Sequence, residues 1–212
     1  MKIIFDLDGT LIDSKLRLYA LFCFLAPRVS LTFSEYWQRK FSGMSNLNIL
    51  SDELGCSKFE LDNFLSAWMD LIESETYLAL DKPIPGVVGF LEAAHARADL
   101  YLCTARQYHG RTVDQLKLLG LHDVFIKILV TQQVKSKAEL IRSEVGVLSA
   151  QDWIIGDMGK DVLVGRELGV STCAVLTGFM SEERLKEYTP DLMLSSVVDF
   201  STQSNFTFNA TK

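Results

Sequence analysis

The sequence predicts an α/β protein built on a doubly wound parallel sheet, with a helical segment inserted after the first strand. Two observations predict the sheet and a third predicts the insert. First, five short runs, at 2–7, 100–103, 125–130, 153–155 and 172–176, are nearly continuous in apolar character. Runs that do not alternate are expected of parallel strands covered on both faces. Second, helix-period patterns separate the later runs. Residues 86–97 place Val87, Phe90, Leu91 and Ala94 on one face, and 111–119, 138–145 and 160–168 behave similarly. Strand–helix alternation implies right-handed βαβ units, and hence a Rossmann-like sheet.

The third observation is the distance between the first two strands. Residues 16–80 carry almost nothing but helical periodicity: Leu18, Leu21, Phe22 and Leu25 in one stretch, then Leu61, Phe64, Leu65, Trp68, Leu71 and Ile72. Pro27 and Gly55 are expected breaks, and Asp81-Lys82-Pro83-Ile84-Pro85-Gly86 is a stiff connector. The expected organisation is a core of 1–14 and 82–212 with a helical cap of 15–81. The polar tail from about Ser201 is expected to fray.

Composition narrows the function classes. A chain of 212 residues suits one large domain, or one with a smaller insert. A net charge of −6 without a long basic run argues against a nucleic-acid partner. No apolar stretch is long enough to span a bilayer. Met1-Lys2-Ile3-Ile4-Phe5 runs directly into acidic residues, so the expected location is cytoplasmic. None of the four cysteines forms a CxxC pair, so zinc is not expected; Cys103 and Cys173 read as small core residues. Sequons at Asn205 and Asn209 read as chance matches.

In open parallel sheets ligands bind beyond the carboxyl ends of the strands. There the first strand delivers Asp6-Leu7-Asp8-Gly9-Thr10, then Asp13. The second delivers Thr104-Ala105-Arg106, and the fourth Gly156-Asp157, then Asp161. Lys135 and Lys137 precede the helix leading to the fourth strand. Carboxylates gathered at one point repel unless compensated. A lysine and a divalent cation compensate them, and all-oxygen ligation suits Mg²⁺. Such a site, with a threonine hydroxyl and a lysine, is equipped for phosphoryl transfer. A turn at Gly9 lets one aspartate of the pair attack phosphorus while the other manages protons.

These residues resemble the haloacid dehalogenase superfamily of phosphotransferases. Asp6-Leu7-Asp8-Gly9-Thr10-Leu11-Ile12-Asp13-Ser14 is similar to its first motif, and Thr104 to its second. Lys137 is chosen for the third, with Lys135 a rival, and Gly156-Asp157-Met158-Gly159-Lys160-Asp161 matches the fourth. Ala174 to Phe179 and Pro190-Asp191 are also similar to family members. The resemblance covers the whole core, and the helical insert looks like the family's first cap type. The phosphoglycolate-phosphatase-like group is the nearest resemblance. Two departures stand out: Met158 where many relatives have Ser or Thr, and no proline after Lys137.

The resemblance implies roles. Asp6 is the nucleophile and a metal ligand. Asp8 is the acid/base, with its carbonyl on Mg²⁺. Thr104 and the Ala105 amide hold a phosphoryl oxygen. Lys137 neutralises charge, Asp157 ligates the metal, and Asp161 supports the metal or orients Lys137. Gly9 and Thr10 belong to the substrate-binding loop.

Arg106 is a candidate for a second anionic group on the substrate. Arg39, Lys40, Gly43 and Asn46 are candidates for a loop that selects the leaving group. The expected activity is Mg²⁺-dependent hydrolysis of a small phosphorylated metabolite through an aspartyl-phosphate. A sugar phosphomutase would share the same residues; a receiver-type signalling domain fits the length and insert less well. Phosphoglycolate, sugar phosphates, nucleoside monophosphates and pyrophosphate all remain open as substrates.

Overall fold

The computed structural model describes residues 1–202; the two sequons and most of the polar tail lie outside the described residues. The central sheet contains β1 (Lys2–Phe5), β4 (Asp99–Thr104), β5 (Lys127–Val130), β6 (Trp153–Gly156), β7 (Ser171–Val175) and β8 (Leu192–Leu194). Its order is β5-β4-β1-β6-β7-β8, and every pairing is parallel. The order reverses between β1 and β6, so the chain's topological switch point lies beside the end of β1.

Side chains alternate along β1. Ile3 and Phe5 pack with Leu102, Ile155 and Val175 in one apolar cluster, together with Val87, Phe90 and Leu91 of α6 (Val87–His95). Ile4 points to the other cluster, with Tyr101, Cys103, Ile154, and Ile141 and Val145 of α8 (Lys137–Val145). Helices on both faces explain the unbroken apolar runs. Two further helices, α7 (His109–Leu118) and α9 (Gly159–Leu168), also follow strands. Cys103 and Cys173 are buried in these clusters, and burial pushes each thiol up to about 12.

Four features differ from the sequence expectation. The first apolar run leaves the sheet after Phe5, not Leu7. The apolar run behind Pro190-Asp191 forms a sixth strand, β8, after α10 (Glu182–Glu187). Asp191 ties it to β7 by accepting from the Thr172 amide at 2.7 Å. A two-stranded antiparallel ribbon, β2 (Ile12–Asp13) with β3 (Lys82–Pro83), was not expected. The ribbon sets the entry and exit of the insert side by side. A short 3₁₀ turn at Val197–Thr202 covers Ser201, where fraying was expected to begin.

The insert holds α1 (Lys15–Leu25), α2 (Phe33–Phe41), α3 (Asn46–Leu54), α4 (Lys58–Leu71) and α5 (Glu75–Leu78). Capping boxes start three of them: Thr32 with Glu35, Ser45 with Asn48, and Ser57 with Glu60. Gly55 stops α3 in the left-handed conformation at φ +61°, and Pro27 follows the end of α1. Phe22, Tyr36, Trp37, Ile49, Leu50 and Phe64 form a separate apolar cluster, joined from outside the insert by Phe179. Among the described residues no helix is long and apolar enough to cross a membrane.

Phe5 is fully buried and meets Phe90 and Phe125 edge-on at 6.1 and 6.4 Å. Phe5→Ala should cost about 3–5 kcal/mol in chemical denaturation. A loss below about 1 kcal/mol would show that β1 is not the centre of the core.

Candidate active site

A cavity of about 840 Å³ lies over the carboxyl ends of the central strands. Asp6, Asp8, Thr104, Ala105, Arg106, Lys137, Asp157 and Asp161 line it from the core, and Leu18, Trp68, Met69 and Ile72 from the insert. Trp68, part of the helical periodicity read in the insert, packs against its apolar cluster and also faces this cavity.

Local backbone chemistry places each charged group. The Asp6 amide donates to Ile155 O at 2.9 Å, which holds Asp6 at the sheet's rim beside β6. A capping box of Ser136 with Glu139 fixes the start of α8, so Lys137 is its first residue. Lys137 Nζ donates to Asp6 Oδ1 and to Asp161 Oδ1, both at 2.6 Å. Lys135 is exposed on the rim of the cavity, so the geometry favours Lys137 over its rival. Asp161 also accepts from the Met158 amide at 3.2 Å, at the start of α9. A Cβ on Gly156 would fall 2.3 Å from Asp161 Cγ, so that carboxylate needs the glycine.

Asp157 follows β6 and is fully buried. Its Oδ2 accepts from the Phe179 amide at 2.8 Å, while Oδ1 has no hydrogen-bond partner. Gly9 turns the chain at φ +83°, and a Cβ there would fall 2.6 Å from Asp157 Oδ2. Carboxylate oxygens of Asp6, Asp157 and Asp161 lie within 4.8 Å of one another.

Burial raises Asp6 to about 6 despite the opposing pull of Lys137. Burial, then the charges of Asp6 and Asp161, raises Asp157 well above the ordinary range. For Lys137 burial opposes the charge, but Asp161 and Asp6 outweigh it and hold the ammonium well above its usual range. When all three carboxyls are ionised, one ammonium leaves two negative charges, and one buried oxygen is unpartnered. That donor set fits a divalent, oxygen-seeking cation such as Mg²⁺.

Asp8 belongs to a second charge system. Its Oδ2 accepts from Arg106 Nε and its Oδ1 from Arg106 Nη2, both at 2.9 Å. Arg17 of α1 also donates to Oδ1. Asp81, at the end of the insert, forms ion pairs with Arg17 Nε at 3.1 Å and with Arg106 Nη2 at 3.3 Å. Gln115 donates to Asp81 at 2.9 Å and accepts from Arg106 Nη1. Burial disfavours the charged form of Asp8, but Arg106 and then Arg17 outweigh it and hold the carboxyl well below its usual range.

The structure therefore corrects several expectations. Arg106 does not offer a free guanidinium to a second anionic group; all three of its nitrogens are engaged by Asp8, Asp81 and Gln115. Gly9 and Thr10 do not line the cavity. Gly9 O accepts from Thr177 Oγ1 at 2.6 Å, and Thr10 is wholly buried. The expectation for Asp8 is not among those corrected: only its carbonyl was expected on the metal, and its carboxylate lies outside the acidic cluster of Asp6, Asp157 and Asp161. Thr104 and Ala105 sit at the cavity wall, and Ala105 O accepts from Gln133.

Of the four insert positions expected in one loop, only Gly43 lies between helices. Arg39 and Lys40 end α2, and Asn46 begins α3. Arg39 pairs with Glu53. Asn46 accepts from Tyr36 Oη at 2.9 Å and Lys40 Nζ at 3.3 Å.

Sequence reasoning missed Arg17, Asp81, Gln115 and Glu73. Arg17 had a signal: it sits four residues before Leu21 on the buried face of α1. Glu73 had none. Its carboxylate accepts from the Gln107 and Tyr108 amides at 2.7 and 3.1 Å, joining the end of α4 to the loop after Thr104.

A sequence model of the haloacid dehalogenase-like hydrolases matches residues 3–175. A pyrophosphatase PpaX from Halalkalibacterium halodurans is 24% identical over 207 residues, covering 93% of each chain. A pyrophosphatase PpaX from Anoxybacillus flavithermus is 26% identical over 216 residues, again 93% of each. Among solved structures, a haloacid dehalogenase-like family hydrolase from Streptococcus pneumoniae superposes with a TM-score of 0.76. It is 24% identical, over 95% of this chain and 96% of the other, which shows the shared fold.

The raised carboxyls yield a test of the metal site. A raised Asp6 favours the folded chain at low pH, and that contribution is lost as pH rises through about 6. Mg²⁺ reverses the trend by binding the ionised cluster, so it should raise the melting temperature near neutral pH. At a hundredfold excess over Kd the gain is about 2.7 kcal/mol. The gain should shrink on acidification below about 6, as Asp6 takes up its proton, and Asp157→Asn should abolish it. A shift of equal size on both sides of that pH, or in Asp157→Asn, contradicts this site.

Proposed function

Because this chain belongs to the haloacid dehalogenase-like hydrolase family, we propose that it is a magnesium-dependent phosphatase that hydrolyses a small phosphate ester or anhydride through a phosphoryl group carried on Asp6. One observation carries the reading. The Asp6 carboxylate faces the cavity with Oδ1 held by Lys137, and its other oxygen has no hydrogen bond among the described residues. Asp6, Asp157 and Asp161, with the Asp8 carbonyl, would hold Mg²⁺, which when bound neutralises the acidic cluster and the incoming phosphoryl group.

In the first half-reaction Asp6 Oδ2 attacks phosphorus, and the bond from phosphorus to the leaving oxygen breaks. Lys137 offsets the charge that gathers on Asp6 and the phosphoryl oxygens. The Thr104 hydroxyl and Ala105 amide, from residues that line the cavity, would hold one of those oxygens. In the second half a water attacks phosphorus and gives its proton to Asp8. Phosphate departs and the Asp6 carboxylate is restored.

Asp8 is held as a carboxylate by Arg17 and Arg106, which suits the base of the second half. It makes Asp8 a poor acid for the first. A leaving group that departs as a stable anion, such as phosphate from an anhydride, needs that acid least. The relatives named pyrophosphatase are consistent with this preference.

The insert would act as a cap. Leu18, Trp68, Met69 and Ile72 give the cavity an apolar wall, and Trp37 stacks on Phe179 at 5.4 Å. Its entry and exit run through the β2–β3 ribbon, where a small rotation moves the whole insert.

The reading is tested by phosphate release from para-nitrophenyl phosphate with and without Mg²⁺. Asp6→Asn should show no turnover above background, and Asp8→Asn should lose ~10²–10⁴-fold in kcat. Acid quenching of the wild type should trap phosphate on Asp6. Normal rates in Asp6→Asn, with the melting profile intact, would refute the assignment.

A further inference from the structure

A second cavity, of about 310 Å³, adjoins the first between the insert and the core. The two share Leu18, Met158, Lys160 and Phe179, so their walls are continuous. The second is lined by Lys40 from α2, Lys160 from α9 and Arg184 from α10, and no Asp or Glu lines it. Three cations without an anion are an unusual concentration in a chain whose net charge is −6.

None of the three is neutralised. Among the described residues the Lys160 and Arg184 side chains form no ion pair or hydrogen bond. Lys40 reaches only the neutral amide oxygen of Asn46, at 3.3 Å. Burial lowers its ammonium to about 8, and no neighbouring carboxylate opposes the shift. A half-buried cation without a counter-charge is costly unless a ligand supplies one.

The backbone is shaped to this arrangement. Gly43 turns at φ +96°, and a Cβ there would fall 1.1 Å from Arg184 Nη1. The guanidinium of a core residue therefore rests directly on the insert's backbone, beside Lys40.

We propose that Lys40, Lys160 and Arg184 form a subsite for a second anionic group, carried on the leaving portion of the substrate. This rests on the phosphatase reading and narrows it. The substrate class becomes phosphate anhydrides and esters whose leaving group is itself a phosphate or carboxylate. The role expected of Arg106 passes to these three residues. Lys160, on the wall common to both cavities, lies between the reacting phosphoryl group and the second anion. Lys40 and Arg184 hold the distal end and draw insert and core together on it.

The test compares pyrophosphate and phosphoglycolate, which carry a second anionic group, with para-nitrophenyl phosphate, which does not. All are assayed with Mg²⁺ on the full chain. The wild type should favour the doubly anionic probes in kcat/KM. Lys40→Met and Arg184→Gln should each lower that preference about tenfold, mainly through KM, as expected for one lost charge-assisted contact.

Titration of the non-hydrolysable methylenediphosphonate against methylphosphonate gives a readout independent of turnover, and the same two variants should lose the difference in affinity. A preference within twofold of wild type in both variants overturns the subsite. So does a wild type that hydrolyses para-nitrophenyl phosphate through Asp6 without favouring either doubly anionic probe, and that outcome leaves the phosphatase reading standing. If no probe is hydrolysed, the phosphatase reading fails, and the titration alone decides whether the cations bind the second anion.

Discussion

Three carboxylates share a space that one ammonium enters. Two unit charges held 4.8 Å apart repel by about 3–4 kcal/mol at an effective dielectric of about 20, and more where water is excluded. Lys137 relieves Asp6 and Asp161 through its two contacts, but Asp157 keeps a buried oxygen without a partner. The surroundings are organised around that excess. Gly9, Gly156 and Gly178 lack side chains where a Cβ would strike Asp157 or Asp161. The switch between β1 and β6 brings Asp6 and Asp157 together from strands far apart in sequence. A fold that concentrates charge in this way stores a demand for a cation, and a cation so held would polarise whatever anion enters beside Asp6.

The second system, Arg17, Arg106, Asp8 and Asp81, is balanced. Two guanidinium groups meet two carboxylates, with Gln115 completing the contacts. A buried network of this kind contributes little net stability but fixes geometry closely. Its members come from both sides of the ribbon: Arg17 opens the insert, Asp81 closes it, and Asp8 and Arg106 belong to the core. The carboxylate proposed to move protons is therefore tied to both ends of the part proposed to move. If the insert rotates about the β2–β3 ribbon, the contacts around Asp8 change with it. Closure and proton transfer would then be coupled through one set of ion pairs.

Much of this was legible in the sequence because strand ends announce themselves. An apolar run that stops at two aspartates, a glycine and a threonine has few reasons to do so without a ligand, whereas Gly156-Asp157 alone is an ordinary strand-to-loop turn and gains meaning only beside the first motif. The order of the motifs then fixed which groups would converge. Lys137 was less legible: a lysine at a helix start is usually solvated, and only the family resemblance set it ahead of Lys135. What escaped notice depends on tertiary register. Arg17 and Asp81 are 64 positions apart, counted from their numbers in the chain, and only the ribbon makes them neighbours. Arg106 was read as a free cation because its position after Thr104 reveals nothing of the two carboxylates that claim it. Strands of two or three residues, such as β2, β3 and β8, are too short to show a period.

Seen together, the charges follow a direction. Negative charge is in excess at Asp157, balanced at Asp8, and replaced by unpaired positive charge toward Arg184. A monoester with a neutral leaving group would answer only the first part of that series. A molecule with anionic groups at both ends answers all of it: one end meets the cation that the acidic cluster requires, and the other meets the lysines and arginine that have no counter-charge among the described residues. The apolar surfaces of Trp37 and Phe179 close between insert and core beside this path and lower the dielectric around it. Attraction at the distal end is then strongest when the insert is seated, so the energy of binding the second anion can be used to hold the insert closed while Asp6 reacts.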